Sequence, residues 1–249
     1  MKKERNSKLG YAKNGWLYKE KTAGYIFSAP FIFGFLFFVI VPVATSLYYA
    51  FCNYNILKPA RWVGLKNFID IFQDPTFYKA LGVTLKFAFI SVPLKLVFAL
   101  IVALILLKGT KLTPFYRAAY YLPSILGSSV AVAILWKRMF AVDGLVNKLL
   151  GIQFAWLGST KAALWVIILL AVWQFGSSML IFLSAMKQIP PELYEAARVD
   201  GAGGIYSFFR ITLPLLTPTI FFNLVMQLIN GFMVFAHVVL RFVHVPAVF

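Results

Sequence analysis

The amino-acid sequence predicts an all-α protein, a polytopic bundle of membrane-spanning helices with five spans visible. Three observations predict it. Hydrophobic residues make up 61% of the 249 positions, 26 of them Phe, and only 13% are charged, against roughly 45–50% apolar and 25% charged in a soluble domain. The mean hydropathy is +0.81. The apolar residues fall in five runs, each long enough to cross about 30 Å of hydrocarbon at about 1.5 Å per residue. So few charges cannot cover so much apolar surface in water, and a soluble enzyme is excluded.

The first element is a basic tail, residues 1–23, with seven Lys and Arg at positions 2, 3, 5, 8, 13, 19 and 21. The apolar run Gly24 to Phe51 follows. It exceeds the roughly 7–15 residues of a signal-peptide core and reads as an uncleaved first span. Pro30 and Pro42 are tolerable there because neighbouring helices satisfy freed carbonyls. Cys52 to Lys79 is rich in turn formers and reads as an external loop with a short helix near Leu65–Phe72. A second span covers Leu81–Leu107, and a third covers Arg117–Phe140 with Pro123 near its start. A second external loop runs from Asp143 to Lys161. A fourth span runs from Ala162 to Met186, and a fifth from Ile211 to Val239.

The expected cytoplasmic side, the tail and the span ends and segments that follow the second and fourth spans, holds thirteen Lys and Arg, against nine on the expected external side. Positive charge marks the cytoplasmic side, so the N-terminus is expected inside, at the cytoplasmic membrane. The net charge of +16 sits between apolar runs rather than along one face. It reads as anchoring to anionic lipid and not as a nucleic-acid surface.

Several chemistries lack their residues. No Walker loop, H-E-x-x-H or G-x-S-x-G pattern occurs, so catalytic residues are expected to be none. The spans carry no acidic residue for a proton relay. One Cys and two His, His237 and His244, make a metal site improbable.

The long polar stretch between the fourth and fifth spans carries the most information. Pro191 suits the first position of a helix, and Glu192 and Glu195 fall near its positive N-terminal end. Ala196 and Ala197 give a low-relief face. Gly201, after Asp200, can adopt positive φ and end the helix, and Gly203 and Gly204 extend that freedom. Pro214 and Pro218 are expected to break the start of the fifth span. The residues by themselves give a helix–Gly turn–helix element, which is also what an ordinary interhelical loop looks like.

Glu195-Ala196-Ala197, Gly201 after three intervening residues, and Ile211-x-Leu213-Pro214 after nine more resemble the EAA motif of permease subunits of binding-protein-dependent ABC importers. The likeness covers about residues 24–236. Tyr116-Arg-Ala-Ala-Tyr-Tyr-Leu-Pro123, Ile134-Leu-Trp-Lys-Arg-Met-Phe140 and Ile189-Pro-Pro-Glu-Leu-Tyr194 are similar to the maltose and multiple-sugar branch.

The resemblance implies a fold of the type I ABC importer permease kind, with 24–239 as the transmembrane domain and 187–214 as its coupling loop. It implies an external solute-binding protein, a second permease subunit and ATPase subunits as partners. ATP and magnesium are used by the ATPase, and this chain binds no cofactor itself. Glu195 would make charge-assisted contacts with the ATPase, Ala196 and Ala197 would pack into its cleft, and Gly201 would set the bend. The solute is a sugar on this resemblance; the alternatives are an importer for another solute such as glycerol phosphate or a polyamine and, from a different class, a membrane-bound enzyme or channel.

On the fifth span Thr219, Asn223, Gln227 and Asn230 are spaced four, four and three, which makes one polar stripe. On the fourth, Gln174, Ser177 and Ser178 share a face beside Trp173. On the third, Ser124, Gly127 and Ser128 make a small-residue face. These read either as a hydroxyl- and amide-lined solute path or as helix–helix packing. Lys95, mid-span, faces an interior or snorkels, and Lys86 snorkels.

Relatives of this kind continue into a Gly-Gly-Pro loop and a sixth span. Here residues 240–249 are a short atypical tail. The expectation is a truncated or frameshifted copy, diverging near Ala236 and inactive. The alternative is a five-span variant with an external C-terminus.

Overall fold

The computed structural model describes residues 20–55, 58–127 and 129–242, with only the backbone described for 20–23, 58, 160 and 234–242. The basic tail up to residue 19, Ser128 and most of the expected C-terminal tail (243–249) lie outside the described residues. The region of the expected divergence near Ala236 is described as helical backbone alone. The chain packs as two compact units, 1–77 and 78–249.

In the first unit, α1 (Glu20–Phe35), a π-helical turn (Leu36–Ile40) and α2 (Val41–Ala50) make one continuous helical run. The wider turn sits just before Pro42, whose ring displaces the carbonyl four residues back. The Thr45 hydroxyl donates to Val41 O and Pro42 O at 3.0 and 2.9 Å. None of this span, Gly24–Ala50, is buried, so its apolar side chains need lipid or another subunit around them.

The expected loop after it contains a β-hairpin that the turn-rich sequence does not announce. Strand β1 (Cys52–Asn55) pairs antiparallel with β2 (Lys58–Trp62), with Cys52 opposite Trp62 and Asn53 opposite Arg61. Phe51 stacks on Trp62 with ring centroids 5.4 Å apart, and Tyr49 on Tyr54 at 4.4 Å. The short helix α3 (Lys66–Gln73) is tied back by Asn67, whose Nδ2 donates to Ala50 O and Cys52 O. At the end of this unit the Thr76 N–H donates to Asp74 Oδ1 at 2.7 Å and caps the next helix. That bond holds the Asp74 carboxyl below its ordinary range.

That helix, α4 (Pro75–Leu107), starts six residues earlier than the apolar run. In the second unit it buries Val92, Leu96, Ala99, Ala103 and Leu106. Their alternating spacing of four and three makes a narrow seam. Ala99 and Ala103 are fully buried and let a partner helix approach closely. The seam joins Phe175, Met179, Phe182, Leu183, Met186 and Leu216 in one core.

Two expected spans are broken pairs. The third divides into α5 (Thr113–Leu126), which continues past Pro123, and α6 (Val130–Met139), which starts after the extended backbone of Ser129. The fourth divides into α8 (Thr160–Trp173) and α9 (Gly176–Met186), bent by 41°. Among the described residues three helical runs are long and apolar enough to cross a membrane, or up to five if each bent pair crosses as one span.

Between the pairs, α7 (Leu145–Leu150) orders the second loop. Asn147, 2% exposed, donates to Val142 O at 3.0 Å and Phe154 O at 2.8 Å, and its Oδ1 accepts from Trp156 Nε1. Asn147→Leu leaves those buried groups without partners, at about 1–3 kcal/mol each. We expect it to lower the thermal midpoint of the purified protein and expose the Trp156 indole to a quencher, with Lys148→Ala as the silent control.

The final elements are α10 (Pro191–Val199), α11 (Gly204–Ser207), a second π-helical turn (Phe208–Thr212) and α12 (Leu213–Phe242). Contrary to expectation, Pro214 and Pro218 do not break the last span. Pro214 is the second residue of α12, where its missing N–H costs little. The π turn before it absorbs the ring. Pro218 sits inside the unbroken helix, and the Thr217 hydroxyl donates to Leu213 O at 3.2 Å beside it.

Candidate functional site

Two places in the second unit gather the polar residues. The first is a half-open cavity of about 60 Å³ between α4, α12 and the break between α8 and α9. Ser91 and Lys95 reach it from consecutive turns of α4, Gln174 from the break, and Gln227 and Asn230 from α12.

At the break, Gly176 lets the start of α9 press directly on the backbone of α5. A Cβ there would overlap Tyr120 O, lie 2.7 Å from Tyr121 Cα and 2.9 Å from Ser124 Oγ. The Ser124 hydroxyl repairs the backbone that the break exposes. It donates to Gln174 O at 3.1 Å and accepts from Ser177 N at 3.1 Å. A helix interrupted at membrane depth must find such partners in a neighbouring helix. Gly127 matters in the same way, since a Cβ on it would overlap the Gln174 side chain.

Inside the cavity, one hydrogen-bond chain crosses three helices. Lys95 Nζ donates to Gln227 Oε1 at 2.9 Å, and Gln227 Nε2 donates to Ser178 Oγ at 3.1 Å. The amide is oriented by what it touches, its oxygen toward the ammonium and its N–H₂ toward the hydroxyl. Lys95 therefore faces the bundle interior. Of the two readings open from the sequence, snorkelling is not the one the structure adopts.

The proposed stripe on α12 divides. Gln227 and Asn230 line the cavity. Asn223, 1% exposed, is buried and donates to Thr219 O of its own helix at 3.0 Å, a packing role. Thr219 lines a different, open hollow of about 400 Å³ with Leu180, Ser184 and Gln188. Trp173 lies 5.7 Å from the ring of Trp136, outside the cavity lining. Ser177 is held by Ser124, and its neighbour Ser178 joins Gln227. Ser91 is a cavity residue that the sequence candidates left out, although its place four residues before Lys95 puts it on the same helix face.

The second place is the segment around α10. Pro191 occupies the first helical position and Gly201 takes φ +77°. Ala202 N donates to Ala197 O and Gly201 N to Arg198 O. Together these two bonds form a Schellman motif that satisfies the last carbonyls of the helix. The Tyr194 hydroxyl meets Thr212 Oγ1 at 2.9 Å and pins α10 to the π turn ahead of α12. Glu195, Ala196 and Asp200 are exposed, and Ala197 is half-buried. Val199 is 89% exposed and Ile205 79%, so an acidic helix face lies beside uncovered apolar side chains. Leu213 and Pro214 form the first turn of α12 and join this element to the span behind it.

Similarity to known proteins extends this picture. Residues 24–243 match the family described as binding-protein-dependent transport system inner membrane component. The chain is 50% identical over 223 residues to the probable ABC transporter permease protein YesP of Bacillus subtilis (strain 168), covering 87% of this chain and 72% of that one. It is 33% identical over 235 residues to the arabinooligosaccharides transport system permease protein AraP of the same organism, covering 90% and 74%. Among solved structures it superposes with a TM-score of 0.73, at 26% identity, on a chain of a bacterial ABC transporter involved in import of the acidic polysaccharide alginate, covering 91% of this chain and 80% of that chain.

Proposed function

The chain belongs to the family of binding-protein-dependent transport system inner membrane components, and on that premise we propose that it is one half of a sugar path through the cytoplasmic membrane, working with a second permease subunit. The observation that carries the reading is the half-open cavity, where half-buried Lys95, Gln174 and Gln227 converge with exposed Asn230 on a largely apolar bundle. Amides and an ammonium so placed exchange hydrogen bonds with hydroxyls of a polar solute as it leaves water. The oligosaccharide-importing relative supports a carbohydrate as that solute.

No Walker loop occurs in the sequence, so ATP and magnesium belong to a separate ATPase. We place its docking at α10. Glu195 offers a charge-assisted contact, Ala196 gives close approach, and the bend at Gly201 passes motion through Leu213 and Pro214 into α12. A solute-binding protein delivers the sugar from outside, and the N-terminus lies in the cytoplasm.

Expression with its partner chains tests this. The protein is expected to co-purify with an ATPase and a second permease subunit. In proteoliposomes these are expected to take up a neutral oligosaccharide only when ATP and the binding protein are both present. Uptake without ATP, or a chain that purifies alone under conditions preserving other importers, contradicts the reading.

A further inference from the structure

We propose that the cavity around Lys95 is a subsite for an oxyanion on the solute, the carboxylate of an acidic saccharide, so that the path admits uronic acid oligomers in preference to their neutral counterparts. This rests on the reading of the chain as half of a solute path.

Lys95 is half-buried beside the cavity. The eight acidic residues stand at positions 4, 20, 70, 74, 143, 192, 195 and 200. None is on α4, α8, α9 or α12, the helices that wall the cavity. An ammonium held away from water is costly unless a counter-charge meets it. Lys95 lies twelve residues, about 18 Å of helix, from the end of α4 at Leu107, too deep for its four-carbon stem to reach the surface on that side. Its contact is instead a neutral amide oxygen, Gln227 Oε1 at 2.9 Å. That bond uses one of three ammonium N–H groups. The others are available to a ligand in the cavity.

Size then selects the group. A cavity of about 60 Å³ holds a few waters, each needing roughly 10–15 Å³ of such space, or one carboxylate. A space of this size suits a substituent rather than a whole pyranose ring, so on this proposal the pocket reads the substituent while the ring stays outside it. Ser91 and Asn230 line the same space and supply polar groups for the second carboxylate oxygen. Gln227, fixed between Lys95 and Ser178, holds the ammonium in place ahead of the solute's arrival. Such pre-organisation lowers the ordering cost of binding.

The test uses the importer assembled with its partner subunits in lipid nanodiscs, without the binding protein, and measures equilibrium binding of three probes. These are a short oligouronide, the same oligomer with its carboxylates reduced to primary alcohols, and glycerol 3-phosphate. The wild type is expected to bind the oligouronide about tenfold or more tighter than the reduced form, the scale of one charge-assisted hydrogen bond. Lys95→Gln is expected to erase that preference while keeping the weaker neutral binding, and Lys95→Arg to retain it. Equal binding of the acid and alcohol forms, binding of neither, or a preference that survives Lys95→Gln overturns the proposal. Tight, Lys95-dependent binding of glycerol 3-phosphate with none of the oligouronide overturns the carboxylate assignment in favour of a phosphate. A Lys95→Gln complex that fails to assemble while Lys95→Arg assembles assigns the charge to a partner subunit and also overturns it. Uptake of a neutral oligosaccharide by the wild type stands apart from these arms, so the path reading and the subsite can fail separately.

Discussion

Gly201→Val is expected to reduce solute uptake about tenfold or more while leaving the protein in the membrane. At φ +77° a β-branched residue is an outlier, and left-handed backbone costs roughly 1–2 kcal/mol for an ordinary L-residue. A Cβ at Gly201 meets nothing within 4 Å, so the whole penalty is conformational and falls on the turn. Relieving it unwinds the Schellman bonds from Ala202 to Ala197 and from Gly201 to Arg198, and the exposed face of α10 turns away from its direction. Gly201→Asp strains the turn less, because Asp tolerates this region better, but adds a charge beside Asp200. Glu195→Lys leaves the backbone alone and reverses the charge on the face itself. All three are expected to lower ATP-driven uptake in proteoliposomes without lowering basal ATP hydrolysis by the assembled complex. Wild-type uptake in all three removes α10 from the coupling role.

Gly176→Ala is expected to destabilise the bundle itself. Its new Cβ would overlap Tyr120 O and lie 2.7 Å from Tyr121 Cα. Both are backbone atoms of α5, which cannot rotate away as the end of a side chain does. Overpacking of this kind costs about 1–3 kcal/mol and sometimes more. It also pushes Ser124 off Gln174 O and Ser177 N, leaving a broken helix with unsatisfied groups. A fall in thermal midpoint of about 5–10 °C is expected, and Gly176→Val is expected not to accumulate. Gly34→Ala, with nothing within 4 Å, is the control that leaves the midpoint unchanged. Equal midpoints for Gly176→Ala and wild type contradict the packing at the break.

What the sequence made legible was local. Pro191 at a helix start and Gly201 at its end act through their own backbone, so α10 and its turn are legible in the residues themselves. The five apolar runs were equally plain, because span length depends on hydropathy alone. The break in the fourth span was hidden for the opposite reason. No proline marks it, and the contact that accompanies it is Gly176 pressed on Tyr120 and Tyr121 of a helix far earlier in the chain. The β-hairpin of Cys52–Trp62 was hidden by its turn formers, which mark a loop and a hairpin alike.

The α12 stripe shows where spacing runs out. Positions 219, 223, 227 and 230 share a face, but a long helix meets different neighbours at successive turns. Asn223 meets its own helix and the core, Gln227 meets Lys95 and Ser178, and Thr219 meets a separate hollow. Lys95 was undecidable from sequence because snorkelling and interior pairing need the same residue at the same depth. Only the position of Gln227, 132 residues later in the chain, separates them.

The most direct measurement places α10 against its partner. The sequence holds one cysteine, Cys52, so Cys52→Ser with Ala196→Cys gives a single thiol on the exposed face of α10. A photoactivatable crosslinker carried on that thiol, in the assembled importer, is expected to yield a covalent adduct with the ATPase. A membrane-impermeant thiol reagent is expected to reach the same site in inside-out vesicles only. Labelling from the outer side of right-side-out vesicles, or no ATPase adduct from any exposed position of α10, would contradict the account.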